Sequence, residues 1–199
     1  MRIRRETMDI LKYGNTNTFF IRGDRGGLLL DTDYAGTMPV FYQALKKAGI
    51  RLADIQYVLA THYHPDHMGL VGQLMELGVR LLLVDFQKES VHDSDRIFEK
   101  DRIAFRIIDE SEATVISCAE SRRFLASIGI SGEIISTPSH SADSVSLVLD
   151  DGSCFVGDVE PQEYLEAYDG NVMLKRDWER ILSLHPSTVY YAHRPEKRL

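Results

Sequence analysis

Short, nearly continuous apolar runs alternate along this chain with longer stretches in which apolar residues recur at helical spacing. The runs at 18–22, 27–31, 55–60, 79–84, 113–116, 132–136, 145–149, 153–156 and 188–191 predict strands. Leu28 to Leu30 is apolar without interruption, so both faces of that strand are expected to be covered. Gly23-Asp24-Arg25-Gly26 joins the first two runs as a hairpin, and Asp150-Asp151-Gly152 turns between two later ones. Met38, Phe41, Leu45 and Ala48 predict a helix capped by Thr37, with Pro39 in its first turn and Gly49 as its stop. A second helix is expected over 69–77, with Leu70, Val71, Leu74 and Leu77 as its apolar stripe. Ser117-Cys118-Ala119-Glu120 is a capping-box pattern that opens a third, continued by Phe124, Leu125 and Ile128. A fourth covers 171–184, with Leu174, Trp178, Ile181 and Leu182 facing inward. Between 86 and 112 the pattern loosens; this stretch is either a lid over a site or a structural insertion.

Composition narrows the picture only slightly. The 199 residues suit one domain spanning 1–199, on the soft rule of about 100–200 residues per domain. Hydrophobic residues at 44% and charged residues at 27% are ordinary for a globular protein. A net charge of -7 argues against a non-specific nucleic-acid binder. The two cysteines, Cys118 and Cys154, form no CxxC pair, which suits a reducing, cytoplasmic setting. The basic start at 1–6 is followed by no apolar segment, so neither a signal peptide nor a membrane span is expected. The expected partner is a small-molecule substrate, and the pattern assigns no oligomeric state.

Chemistry concentrates in Thr61-His62-Tyr63-His64-Pro65-Asp66-His67-Met68-Gly69. Three histidines and an aspartate fall between a predicted buried strand and a helix, where α/β folds place their sites. Imidazoles clustered this densely point to a metal. His62 and His64, two apart in an extended loop, can project to the same side, and Pro65 stiffens the turn beyond them. Further ligand-type residues follow other predicted strands: His140, Asp158 and His193.

Taken together, the chain resembles the metallo-β-lactamase-fold hydrolases. His62, His64, Asp66 and His67 match that superfamily's H-x-H-x-D-H motif; His140 in Thr-Pro-Ser-His, Asp158 in Gly-Asp and His193 match its later motifs. The resemblance implies a four-layer αβ/βα sandwich, with two mixed β-sheets flanked by helices. It also implies two divalent ions, zinc first, with iron or manganese as alternatives. His62, His64 and His140 would hold one, Asp66, His67 and His193 the other, and Asp158 would bridge them. The implied activity is hydrolysis of a small ester, thioester, lactone, lactam or phosphodiester by a metal-bridging hydroxide, with Asp66 handling the proton. The alternatives are a mononuclear-iron sulfur dioxygenase-type oxidoreductase and a metal-binding protein without turnover. A flavodiiron reductase is disfavoured because His64 stands where that family generally has a carboxylate. Thioester cleavage of the glyoxalase II type would want a helical substrate domain, and six residues follow His193.

The departures from the pattern are Ser139 before the third-motif histidine, Asp143 after it, and Ala192 and Arg194 around the last one, all places where glycine is usual. Arg194 could bind a carboxylate or phosphate. Tyr164 and Tyr168 are candidate substrate-side hydroxyls, Tyr63 and Met68 candidate pocket walls, and Asp31 and Thr32 candidate braces for the ligands. His92 would reach the site only from a lid, and His185 is expected at the surface.

Overall fold

The computed structural model describes residues 8–24, 26–165 and 170–199. Arg25 of the first hairpin, the basic start at 1–6 and Tyr168 lie outside the described residues. The first sheet is formed by β1 (Met8–Leu11), β2 (Thr18–Gly23), β3 (Gly26–Leu30), β4 (Ile55–Leu59), β5 (Arg80–Val84) and β6 (Thr114–Ile116), in that order. Its first two pairings are antiparallel and the next three parallel. The second sheet holds β7 (Gly132–Ser136), β8 (Val145–Leu149), β9 (Ser153–Phe155), β10 (Thr188–Tyr190) and β11 (Lys197–Arg198), in the order β11-β10-β9-β8-β7. Only β9 and β10 pair in parallel there.

The apolar runs lack alternation because each strand is covered twice. Phe19, Ile21, Leu28, Leu30, Tyr57, Leu59, Leu82 and Val84 face the second sheet, which answers with Ile134, Leu147, Leu149 and Phe155. The intervening Phe20, Leu29, Val58, Leu81 and Leu83 face the opposite way, onto the helical layer of α1 (Met38–Ala48) and α3 (Val71–Glu76). On the second sheet, Ile135, Val148 and Cys154 meet Leu174, Trp178 and Ile181 of α6 (Val172–Ser183). The period-two geometry of a strand thus serves two cores at once, and the layers run helix, sheet, sheet, helix. α5 (Cys118–Ser127) closes the side, where Leu125 and Ile128 enter the core between the sheets and Ser121 accepts from the Ile134 N–H.

Several local expectations change. The helix expected over 69–77 is the shorter α3, with Leu77 exposed beyond it, and a separate turn of helix, α2 (Pro65–Met68), forms within the histidine loop. Leu182 is likewise exposed rather than on the inner face of α6. Thr37 occupies the N-cap position of α1, but its hydroxyl donates to the Tyr34 carbonyl rather than making a capping bond. Gly49 does end that helix, at φ 68°. Glu120 accepts from both the N–H and the hydroxyl of Ser117 at the start of α5. The segment 86–112 contains α4 (Asp95–Lys100), and Val91, Phe98 and Ile108 bury themselves in the layer over the first sheet. Lys197 and Arg198, where no apolar run predicts a strand, form the edge strand β11.

Candidate metal centre

The ends of β3, β4 and β9 and the loop after β10 meet at one edge of the sandwich. β4 delivers the histidine loop. The Thr61 carbonyl accepts from the Val145 N–H at 2.8 Å, which splices this loop to the start of β8. Pro65 opens α2, so Asp66 and His67 are lifted one turn away from His62 and His64. The loop after β7 brings His140, the end of β9 brings Asp158, and the loop after β10 brings His193.

Six side chains then converge in two triads, with a seventh between them. His62, His64 and His140 offer ligand atoms within 4.8 Å of one another, and so do Asp66, His67 and His193. His62 Nε2 lies 3.0 Å from His64 Nδ1, which lies 3.0 Å from His140 Nε2. His193 Nε2 lies 3.2 Å from both His67 Nε2 and Asp66 Oδ2. Asp158 reaches both groups: Oδ2 is 3.7 Å from His140 Nε2 and 3.5 Å from His67 Nε2, and Oδ1 is 3.3 Å from His193 Nε2. His62 and His67 form a fully buried floor, while His64, His140 and His193 stand exposed at the mouth.

The tautomers follow from the hydrogen bonds behind the rings. The Thr61 hydroxyl donates to Asp31 Oδ2 at 3.0 Å, so it accepts from His62 Nδ1 at 3.1 Å. His67 Nδ1 donates to Asp31 Oδ2 at 3.1 Å, and His193 Nδ1 to the Asn15 carbonyl at 3.1 Å. In its neutral form each of these three rings is thereby left with an Nε2 lone pair aimed inward. Lone pairs facing one another at about 3 Å repel unless a proton or a cation lies between them, so the donor set fits divalent metal. Asp31 and Thr32 therefore stand behind the candidate ligands, Thr32 holding the His67 carbonyl through both N–H and hydroxyl.

Protonation equilibria of the side chains divide along the same lines. Burial, reinforced by the neighbouring imidazoles, pushes His62 far below the usual histidine value, and burial also lowers His140. Burial opposes charge on His67 too, but Asp31 and Asp158 outweigh it and hold it up at about 10. The hydrogen bond from His193 lowers Asp66 to about 2 and correspondingly raises His193.

A polar network behind the first triad carries no signal in the sequence. Fully buried Gln87 donates to the carbonyls of Ala60, Thr61 and Asp143 at 3.1, 3.3 and 3.0 Å. Asp143 Oδ2 accepts from the Tyr63 N–H at 2.7 Å, and Ser94 donates to the Tyr63 carbonyl at 2.6 Å. The departure from glycine at 143 thus ties the His140 loop to the His62 loop. Ser139 is pinned through its N–H to Asp177 at 2.7 Å. The loop before β2 contributes likewise, Thr16 donating to the Asp66 carbonyl at 2.7 Å. The polar run Gly14-Asn15-Thr16-Asn17 is the available signal for this last role.

Other candidates fall elsewhere. Tyr63 and Met68 are core residues rather than pocket walls, and burial raises the Tyr63 phenol. His92 is turned to Asp95 and Glu110, at 2.8 and 3.0 Å. His185 is exposed beside Arg122 and Glu133. Arg194 and Tyr164 meet at the mouth: Arg194 Nη1 donates to the Tyr164 hydroxyl at 3.1 Å. A cavity of about 220 Å³ is lined by His140, Asp158, Glu160, His193 and Arg194. A larger one of about 540 Å³, around Arg22, Arg51 and Asp54, lies at the other ends of the strands and contains none of the seven residues.

Comparison with known proteins agrees with this architecture. The family model of the metallo-beta-lactamase superfamily matches residues 11–193, and the chain belongs to that superfamily. Beta-lactamase-like protein 2 homolog of Drosophila melanogaster is 24% identical over 181 residues, covering 89% of this chain and 58% of its own length. A Synechocystis sp. protein named as a diflavin flavoprotein is 34% identical over 84 residues, 40% of this chain and 14% of its own. The chain thus spans under two thirds of these curated relatives. Among solved structures, the metallo-beta-lactamase family protein TTHA1429 of Thermus thermophilus superposes with a TM-score of 0.72 at 19% identity, covering 98% of this chain and 76% of that one. TTHA1623, solved in a di-iron-bound form, gives 0.70 at 21% identity, covering 96% and 93%. Members of this superfamily are mostly metal-dependent hydrolases. Among the described residues, no helix is long and apolar enough to cross a membrane.

Proposed function

We propose that the protein is a dinuclear metal-dependent hydrolase of a small ester, thioester, lactone, lactam or phosphodiester. The observation that supports this reading is the pair of triads sharing Asp158. His62, His64 and His140 would hold one ion; Asp66, His67 and His193 the other. Two divalent ions held there would supply an acidified water as nucleophile at neutral pH and an electrophile for the developing oxyanion. Zinc suits the imidazole-rich donor set, and iron or manganese suit it too.

The chain's own residues do the rest. Thr61, Asp31 and Asn15 fix the three imidazoles so that Nε2 points inward. Asp66 stays ionised near neutral pH and its side chain is about one-third exposed, at 37%. It can accept the proton of the attacking water on its carboxylate and pass it to solvent.

Metal analysis combined with a panel of lactone, thioester and phosphodiester substrates tests the reading. Two zinc or manganese ions per chain with turnover of one class support it. Full turnover and metal content in Asp66→Ala would remove the proton role. A second reading is redox chemistry at iron: TTHA1623, which shares the fold, was solved in a di-iron-bound form. One iron per chain without hydrolysis would select it, in the form of a sulfur dioxygenase-type enzyme. Metal without any turnover would leave a binding protein.

A further inference from the structure

We propose that Arg194 and Tyr164 form an anion subsite at the mouth of the metal centre, so that the substrate carries a carboxylate or phosphate beside its scissile bond. This rests on the hydrolase reading above and names the substrate class for the same site.

Arg194 follows His193 directly, and its backbone is pinned from several sides. The Ala192 N–H donates to the Gly157 carbonyl at 3.1 Å, and the Asn17 N–H to the Ala192 carbonyl at 2.7 Å. Asn17 Nδ2 donates to the carbonyls of Tyr191 and Arg194 at 2.9 and 3.2 Å. The side chain therefore springs from a fixed point one residue beyond His193. Its guanidinium carbon sits 5.2 Å from the centre of the Tyr164 ring, while Nη1 donates to that residue's hydroxyl at 3.1 Å. The phenol supports the planar fork and sets its orientation, leaving the remaining N–H donors for another acceptor.

Among the described residues, none provides that acceptor. Among the described residues, no carboxylate lies within ion-pair distance of Arg194, whereas the neighbouring Lys197 is already paired with Glu163. Arg194 also lines the same cavity of about 220 Å³ as Asp158 and His193. Glu160 shares this wall, so the cavity selects an anion placed at the Arg194 side rather than a diffuse negative charge. A planar fork beside a reactive centre recognises carboxylate or phosphate by paired hydrogen bonds.

Two probes differing only in charge test this on the metal-loaded full chain: the thiophenyl thioesters of glutaric acid monoanion and of neutral pentanoic acid. The expected result is a preference of tenfold or more in kcat/KM for the charged probe, expressed in KM, which collapses toward unity in Arg194→Gln. Lys197→Gln, which removes a nearby cation, keeps the wild-type ratio. No preference in the wild type, a preference that survives Arg194→Gln, or an equal collapse in Lys197→Gln overturns the subsite. Calorimetric binding of glutarate gives a readout without turnover: Arg194→Gln weakens it tenfold or more, and unchanged binding refutes the proposal. If neither thioester turns over but glutarate binding still depends on Arg194, the thioester form of the hydrolase reading fails and the subsite stands.

Discussion

Replacing Gln87 by leucine is the sharpest test of how the first triad is held. The side chain is fully buried and makes four hydrogen bonds: three donated to the carbonyls of Ala60, Thr61 and Asp143, and one accepted from the Val84 N–H at 3.2 Å. Leucine fills the space without donor or acceptor. The Thr61 carbonyl keeps its bond from Val145, but the carbonyls of Ala60 and Asp143 and the Val84 N–H lose the side chain that serves them. A buried polar group left without a partner costs about 1–3 kcal/mol, so three such groups predict a loss of at least about 3 kcal/mol. Domains have about 5–15 kcal/mol in total, so the variant would still fold but with a much smaller margin. Urea unfolding of the metal-free protein, followed by fluorescence of the single, buried Trp178, measures the effect. With a slope of about 2 kcal/mol per molar urea, the midpoint falls by at least about 1.5 M. Because Ala60 and Thr61 lead into His62, metal affinity falls more at the first triad than at the second. A midpoint shift below about 0.5 M, or equal weakening at both triads, would refute the idea that Gln87 splices the two ligand loops.

Three further outcomes follow from the same geometry. Asp31→Asn keeps a residue type that tolerates the φ of 59° at this position but withdraws the carboxylate from His67 Nδ1; metal titration should show affinity weaker by about 10–100-fold, as outer-shell partners typically do. Gly157→Ala places a Cβ 2.5 Å from Thr61 Oγ1 at a φ of 56°, so backbone strain and overpacking together predict about 2–5 kcal/mol of destabilisation in a urea melt, and less than about 1 kcal/mol contradicts the contact. For His92, burial opposes charge but the bonds to Asp95 and Glu110 outweigh it and raise its pKa above the ordinary value of 6.5. Its ion pairs therefore contribute fully below that value and are lost as pH rises through the raised one. With the side chain 43% exposed the contribution is small, and an NMR titration midpoint that stays above 6.5 in Asp95→Asn,Glu110→Gln would disprove the cause.

The chain's pattern of apolar residues is enough to place most elements, because burial on one or both faces is written directly into a strand's or helix's own residues. It errs where a boundary depends on neighbours. Leu77 and Leu182 have the right spacing for an inner face, yet both are exposed in the folded chain. Thr37 has a capper's chemistry but bonds to Tyr34 instead. Gln87 and Ser94 do not stand out, since neither residue type signals chemistry and their segment has no clear period.

The seven residues at the site are visible as a set, since histidines and aspartates after strand ends are conspicuous. Their arrangement is not visible from the pattern alone. His67 and His193 stand 126 positions apart, and their nitrogens come within 3.2 Å only through the packing of the two sheets. The H-x-H-x-D-H loop by itself determined which side chains are available and that they fall into two displaced pairs. Tertiary structure sets which distant residue lies against each pair, an arrangement that the family resemblance implied and the pattern did not, as well as which ring nitrogen points inward and that Asp31, Gln87 and Asp143 hold them there. Local sequence encodes burial and backbone preference; convergence across the sandwich edge is a property of how whole sheets pack.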